Sequence, residues 1–179
     1  MIVAEGVADI ADVDVFVAEL DAIGEACGCA VTAFDARYVA GRRHLEAAVD
    51  RANRAFERDD AIADDRGIEI LLYAAGRRQI QQALEMGVSE GRWPVVVVVD
   101  GGTAIANDGD GTGSRAGGDE AEAVDRVYDL IEPADVLGAE RDEGLIREFF
   151  GITETELGAT DASLETLVVE RVSLLAIDK

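Results

Sequence analysis

The feature that most constrains this chain is a run of five consecutive valines at positions 95–99, directly after Pro94. Successive side chains of a strand point to opposite faces, so a strand wetted on one side alternates apolar and polar residues. An unbroken β-branched run predicts instead a strand buried on both faces. A chain of 179 residues can supply that cover, because a domain of such length buries roughly 70% of the surface its unfolded form exposes.

Patterning elsewhere identifies the cover and the companion strands. Residues 1–8 and 29–34 read as strands, and the apolar run 68–74 reads as a third, with Gly76 as its break. Helices are predicted over 12–26, 43–58, 77–86 and 120–131, the last ended by Pro133. In the second of these, Leu45, Ala48, Val49, Ala52 and Phe56 form one stripe. Shorter helices follow over 141–150 and 153–157, and a final one over 162–177 with Asp161 as its N-cap. The expected fold is α/β (α+β): one layered domain over 1–179, with a central mixed or antiparallel sheet of about four strands flanked by helices and a helical C-terminal part. Residues 101–118 read as a flexible acidic, glycine-rich loop or insertion.

Charge narrows the environment. There are 38 acidic against 16 basic residues, a net charge of −22, and Lys179 is the only lysine. The acids are spread along the chain, which argues against a nucleic-acid mimic and for adaptation to multimolar salt, where the Debye length shrinks to about 3 Å. Residues 1–7 lack a basic segment and a long apolar run, and no stretch of 18 apolar residues exists, so a cytoplasmic protein without signal peptide or membrane span is expected.

The chemistry-bearing motifs are sparse. Cys27 and Cys29 would supply two zinc ligands of the four a structural site needs, and His44 is the only histidine. They read as two small buried thiols, and no metal is expected. Asp108, Asp110, Thr112, Gly113 and Asp119 follow an EF-hand order in part, but Asp119 is short for bidentate reach and Arg115 replaces an apolar residue. The glycines at 109, 111, 113 and 117 sit in a loop too long and too acidic for a dinucleotide. None of the four serines, at 89, 114, 163 and 173, lies in a nucleophile elbow. No cofactor is expected.

Arginine is more informative. Ten basic and ten acidic residues fall between Arg37 and Arg92, so this segment is neutral while the remainder carries the whole excess. Arg42 and Arg43 open one predicted helix, and Arg77 and Arg78 another. An arginine pair opposes the helix dipole, which suits an anion such as phosphate. The competing reading is pairing with nearby acids, which the spacing of Asp50 and Arg54 favours for the ridge of Arg51, Arg54 and Arg58. In the last helix Leu164, Leu167, Val168, Val172 and Leu175 make one face, and Val169, Leu174, Ala176 and Ile177 widen it. That excess is core on both sides or a partner-binding face, with the partner favoured.

Three segments carry a family resemblance: DARYVAGRRHLEAAVDRANRAF (35–56), IEILLYAAGRRQIQQALEMGV (68–88) and SLETLVVERVSLLAI (163–177). Together they resemble the PRPK-binding protein family, the small kinase-binding subunit of the KEOPS complex; the 101–118 loop departs from the pattern and looks like a haloarchaeal insertion. The resemblance implies a non-catalytic protein. KEOPS makes threonylcarbamoyl adenosine in tRNA through a separate transferase subunit. The small subunit binds the small atypical kinase and supports its ATPase, and it helps recruit tRNA by the 3′ CCA end. Carried onto this chain, the kinase face would comprise Leu164, Leu167, Val168, Val172 and Leu175, and the tRNA surface Arg42, Arg43, Arg77, Arg78 and Gln79. High salt would remove most of the counterion-release contribution, leaving bidentate arginine contacts and stacking to hold RNA. The alternative is a small-molecule enzyme with a phosphate pocket at the Gly76 strand-to-helix turn, where Glu69 and Tyr73 are the nearby candidates for a base.

Overall fold

The computed structural model describes residues 1–102, 118–159 and 161–175. Among the described residues four strands form one sheet: β1 (Ile2–Ile10), β2 (Ala30–Asp35), β3 (Gly91–Asp100) and the two-residue β4 (Glu132–Pro133). Their order is β2-β3-β1-β4, and every neighbouring pair is antiparallel. The valine run lies in β3, inside the sheet, with Val97 opposite Ala4 of β1 and Ala33 of β2.

Helices cover both faces, as that run requires. Val95, Val97 and Val99 pack with Phe16, Leu20 and Ile23 of α1 (Val13–Cys27) and with Ala123 and Val127 of α5 (Glu120–Val127). Val96 and Val98 belong to the larger cluster on the other face, built with α2 (Arg42–Glu57), α3 (Arg66–Ala75), α6 (Glu143–Phe150) and α8 (Leu164–Leu175). All five valines are fully buried. The short α4 (Ile80–Ala83) and α7 (Glu154–Ala159) complete the helices among the described residues. The molecule is an α+β domain with an antiparallel sheet.

One predicted strand is a helix. Residues 68–74 lie in α3, where seven of ten residues, Glu69 to Ala75, are buried. A short apolar run buried all round has no period to distinguish helix from strand. Its punctuation decides: the Asp65 carboxylate accepts the Ile68 N–H at 2.8 Å, and Gly76 closes the helix at φ 60°, a left-handed conformation that favours glycine. The fourth strand is β4 instead, recruited from the segment around Pro133. The helix predicted over 77–86 is only α4 followed by a 3₁₀ turn, Leu84–Met86. In α8, the Ser163 hydroxyl rather than Asp161 accepts the first-turn Thr166 N–H, at 3.2 Å.

Buried polar groups fasten layer to layer. Asp100, at the end of β3, binds the Arg66 guanidinium of α3 and accepts from Asn53 Nδ2 of α2 at 3.1 Å. Cys27 is buried and Cys29 half-buried, and both are free thiols.

Candidate functional site

The predicted tRNA residues gather at one end of the antiparallel α2–α3 pair. The join is His44, whose Nε2–H donates to the Ala74 carbonyl at 2.8 Å while Nδ1 accepts the Ala40 N–H at 3.2 Å. This places the start of α2 beside the end of α3. Burial pushes His44 down to about 4, against the weaker upward pull of the Ala74 bond, so the ring is neutral at pH 7.

The start of α2 carries an anion, but one from its own chain. Gly41 precedes the helix and offers no side-chain cap, so the first amides need a partner from elsewhere. Glu165 of α8 supplies it, its Oε1 accepting the Arg43 N–H at 3.0 Å. Gly41 makes room: a Cβ there would lie 2.4 Å from Glu165 Oε1. A carboxylate therefore occupies the position at which the sequence placed phosphate. The Arg42 side chain pairs with Glu46 at 3.2 Å. The Arg43 side chain is exposed and pairs with no carboxylate among the described residues.

The second pair does not open a helix. Arg77 and Arg78 follow the C-terminal cap of α3, where the Arg77 N–H donates back to the Leu72 carbonyl at 3.0 Å. The Arg77 guanidinium donates to the Phe149 carbonyl and lies 5.0 Å over the Phe149 ring. It thus satisfies the carbonyl end of α6, a position where the helix dipole favours a cation. Arg78 and Gln79 are exposed; Gln79 precedes α4, and its Oε1 accepts from Gln82 Nε2 at 3.2 Å. On the neighbouring ridge, Arg54 pairs with Asp50 at 3.1 Å, as its spacing predicts. Of the predicted arginines, Arg77 serves an internal contact, and Arg42, Arg43 and Arg78 are exposed, Arg42 in a surface pair with Glu46.

The five residues assigned to a kinase face lie in the molecule's own core. Leu164, Leu167, Val168, Val172 and Leu175 are each at most 9% exposed and join the cluster formed with α2, α3 and α6. A side chain that holds α8 to its own domain is not open to a partner. The outward side of α8 presents Leu174, 47% exposed; Val169 is half-buried. Ala176 and Ile177 lie outside the described residues.

The Gly76 pocket has no structural basis. Gly76 ends a helix, so its surroundings present carbonyls where phosphate needs amides. Glu69 is fully buried, accepting the N–H groups of Ile62 at 3.0 Å and Ala63 at 2.8 Å, which ties down the loop before α3. Tyr73 is 3% exposed, and burial pushes its hydroxyl up. The calcium-loop residues 108–113 and most of the 101–118 loop lie outside the described residues; Asp119 caps α5 by accepting the Glu122 N–H at 3.0 Å.

Glu165 was the residue that sequence reasoning missed, and its one signal was negative: a glycine where a helix needs a capping side chain. The Arg37–Asp35–Trp93 arrangement was missed too. Asp35 Oδ2 holds Arg37 at 2.6 Å, and the guanidinium lies 4.2 Å over the Trp93 ring.

The sequence places this chain in a family of kinase-binding proteins. Residues 15–176 match the family described as Kinase binding protein CGI-121, so the chain belongs to it. This is the KEOPS small kinase-binding subunit family that the three segments resemble. No curated protein matches the chain. No helix among the described residues is long and apolar enough to cross a membrane.

Proposed function

We propose that this chain is a non-catalytic accessory subunit of a KEOPS-type complex in the cytoplasm of a salt-adapted archaeon. It binds the small atypical kinase, lies indirectly alongside the transferase subunit, and helps recruit tRNA by its 3′ CCA end for threonylcarbamoyl adenosine synthesis. The family match over residues 15–176 carries the kinase-binding part of this reading. The kinase contact is placed on the outward side of α8 at Leu174, which is 47% exposed. Arg43 and Arg78 are the side chains through which an RNA tail would be held, and both sit at the α2–α3 junction.

The test is capture of the purified kinase by the immobilised chain at molar salt, with Leu174→Arg expected to weaken retention at least tenfold. A companion measurement titrates tRNA with and without its CCA end. The doubly substituted Arg43→Glu, Arg78→Glu chain should lose the preference for CCA while keeping its unfolding midpoint. Equal affinity in parent and variant would remove these arginines from the RNA surface.

A further inference from the structure

Among the described residues β2 is an edge strand, paired with β3 on one side only. A groove runs along it with a volume of about 120 Å³. Val31, Thr32 and Ala33 all line this groove. Consecutive strand residues point to opposite faces, so a groove that meets three in a row meets the edge of the strand. The walls are apolar: Val17 of α1 on one side, and Leu84 with Leu71 on the other. Val17 is 40% and Leu84 53% exposed, whereas Val31 and Thr32 on the strand between them are each 9% exposed and Thr32 Oγ1 donates to the Gly67 carbonyl at 3.1 Å.

The groove continues into an acidic cleft. Asp21, Val31, Asp65 and Gly67 line both spaces, and the cleft of about 530 Å³ adds Glu25 and Asp64. Its one arginine, Arg66, is already engaged by Asp100 and Asn53. Burial, then the charges of Asp65 and Glu25, push the Asp21 carboxyl up. The acids crowd one another, and a cation placed among them relieves that crowding.

We propose that the β2 edge and its groove dock an extended basic segment of a partner protein, which adds to the sheet as a fifth strand. Main-chain hydrogen bonds to β2 supply affinity, one apolar side chain enters the groove, and basic side chains reach the acidic cleft. The groove's volume, about that of four liquid waters, suits a single apolar anchor. The site is independent of the α8 surface and of the arginines at the α2–α3 junction.

The probe is a fluorescein-labelled, end-blocked octapeptide of alternating valine and arginine, titrated into the full chain by fluorescence anisotropy at molar sodium chloride. Binding is expected, with at least a tenfold loss when glutamate replaces arginine in the peptide. Two further peptides, N-methylated on the odd or the even residues, should differ at least tenfold, because one set of amides faces β2. Val17→Glu and Leu84→Glu alter exposed side chains and should each weaken binding at least fivefold with unchanged circular dichroism. Equal binding by both methylated peptides, or indifference to both substitutions, would overturn the proposal. So would a CCA-ending oligonucleotide whose binding those two substitutions abolish, since that would assign the groove to nucleic acid.

Discussion

His44 shows how one residue can join two helices and make stability depend on pH. Its neutral ring satisfies both Ala40 and Ala74 from a fully buried position. Folding depresses its pKa from 6.5 to about 4, so the unfolded chain binds the proton more readily. The stability this group contributes is complete above about pH 6.5 and is lost as pH falls toward about 4, by an amount on the order of 3 kcal/mol. Urea unfolding from pH 7.5 to 4 should show that loss, and His44→Gln should show a smaller dependence from a lower starting stability. Glu165 makes a second residue-scale prediction. Replacing it with alanine leaves the first amides of α2 without their carboxylate, and stability should fall by about 1 kcal/mol in the same assay.

At the scale of elements, α3 separates what pattern can read from what it cannot. Its residues are apolar on every side, so composition alone fits a buried strand as well as a buried helix. The capping residues Asp65 and Gly76 were visible in the chain, but their meaning depends on the helix between them. Gly76→Ala should cost about 1 kcal/mol, because an L-residue resists the left-handed conformation that ends α3. A strand-to-helix turn with extended backbone would tolerate the same change, so the unfolding midpoint distinguishes the two. β3 was the opposite case. Five fully buried valines admit one placement, inside a sheet covered on both faces, and the structure supplies it. The last helix was legible as an element, but which of its sides is core was not. Its apolar arc is wide enough for either, and only contact with α2, α3 and α6 assigns Leu167 and Val168 inward and Leu174 outward.

At the scale of the whole molecule, the net charge of −22 sets the conditions for folding. Carboxylates at this density repel one another when the Debye length is about 10 Å, and the repulsion is screened as it falls toward 3 Å. Raising sodium chloride from about 0.1 to 2 M should therefore raise the thermal midpoint by several degrees, read by circular dichroism. The candidate site was partly legible at this scale. The neutral arginine-bearing segment was visible as a count, and the structure does gather its two pairs at one junction through His44. The count could not show that Arg77 would be spent on an internal partner, because Phe149 lies 72 residues away.

The sequence by itself determined the local quantities: a doubly buried strand, most of the helices, the charge balance and membership in a kinase-binding family. Tertiary structure decided everything that depends on distant neighbours. It made 68–74 a helix, chose β4 as the fourth strand, put Glu165 on the amides of α2 and turned one side of α8 inward. Periodicity and propensity act over a few residues, whereas a buried face or a filled helix end is created only when segments far apart in the chain meet.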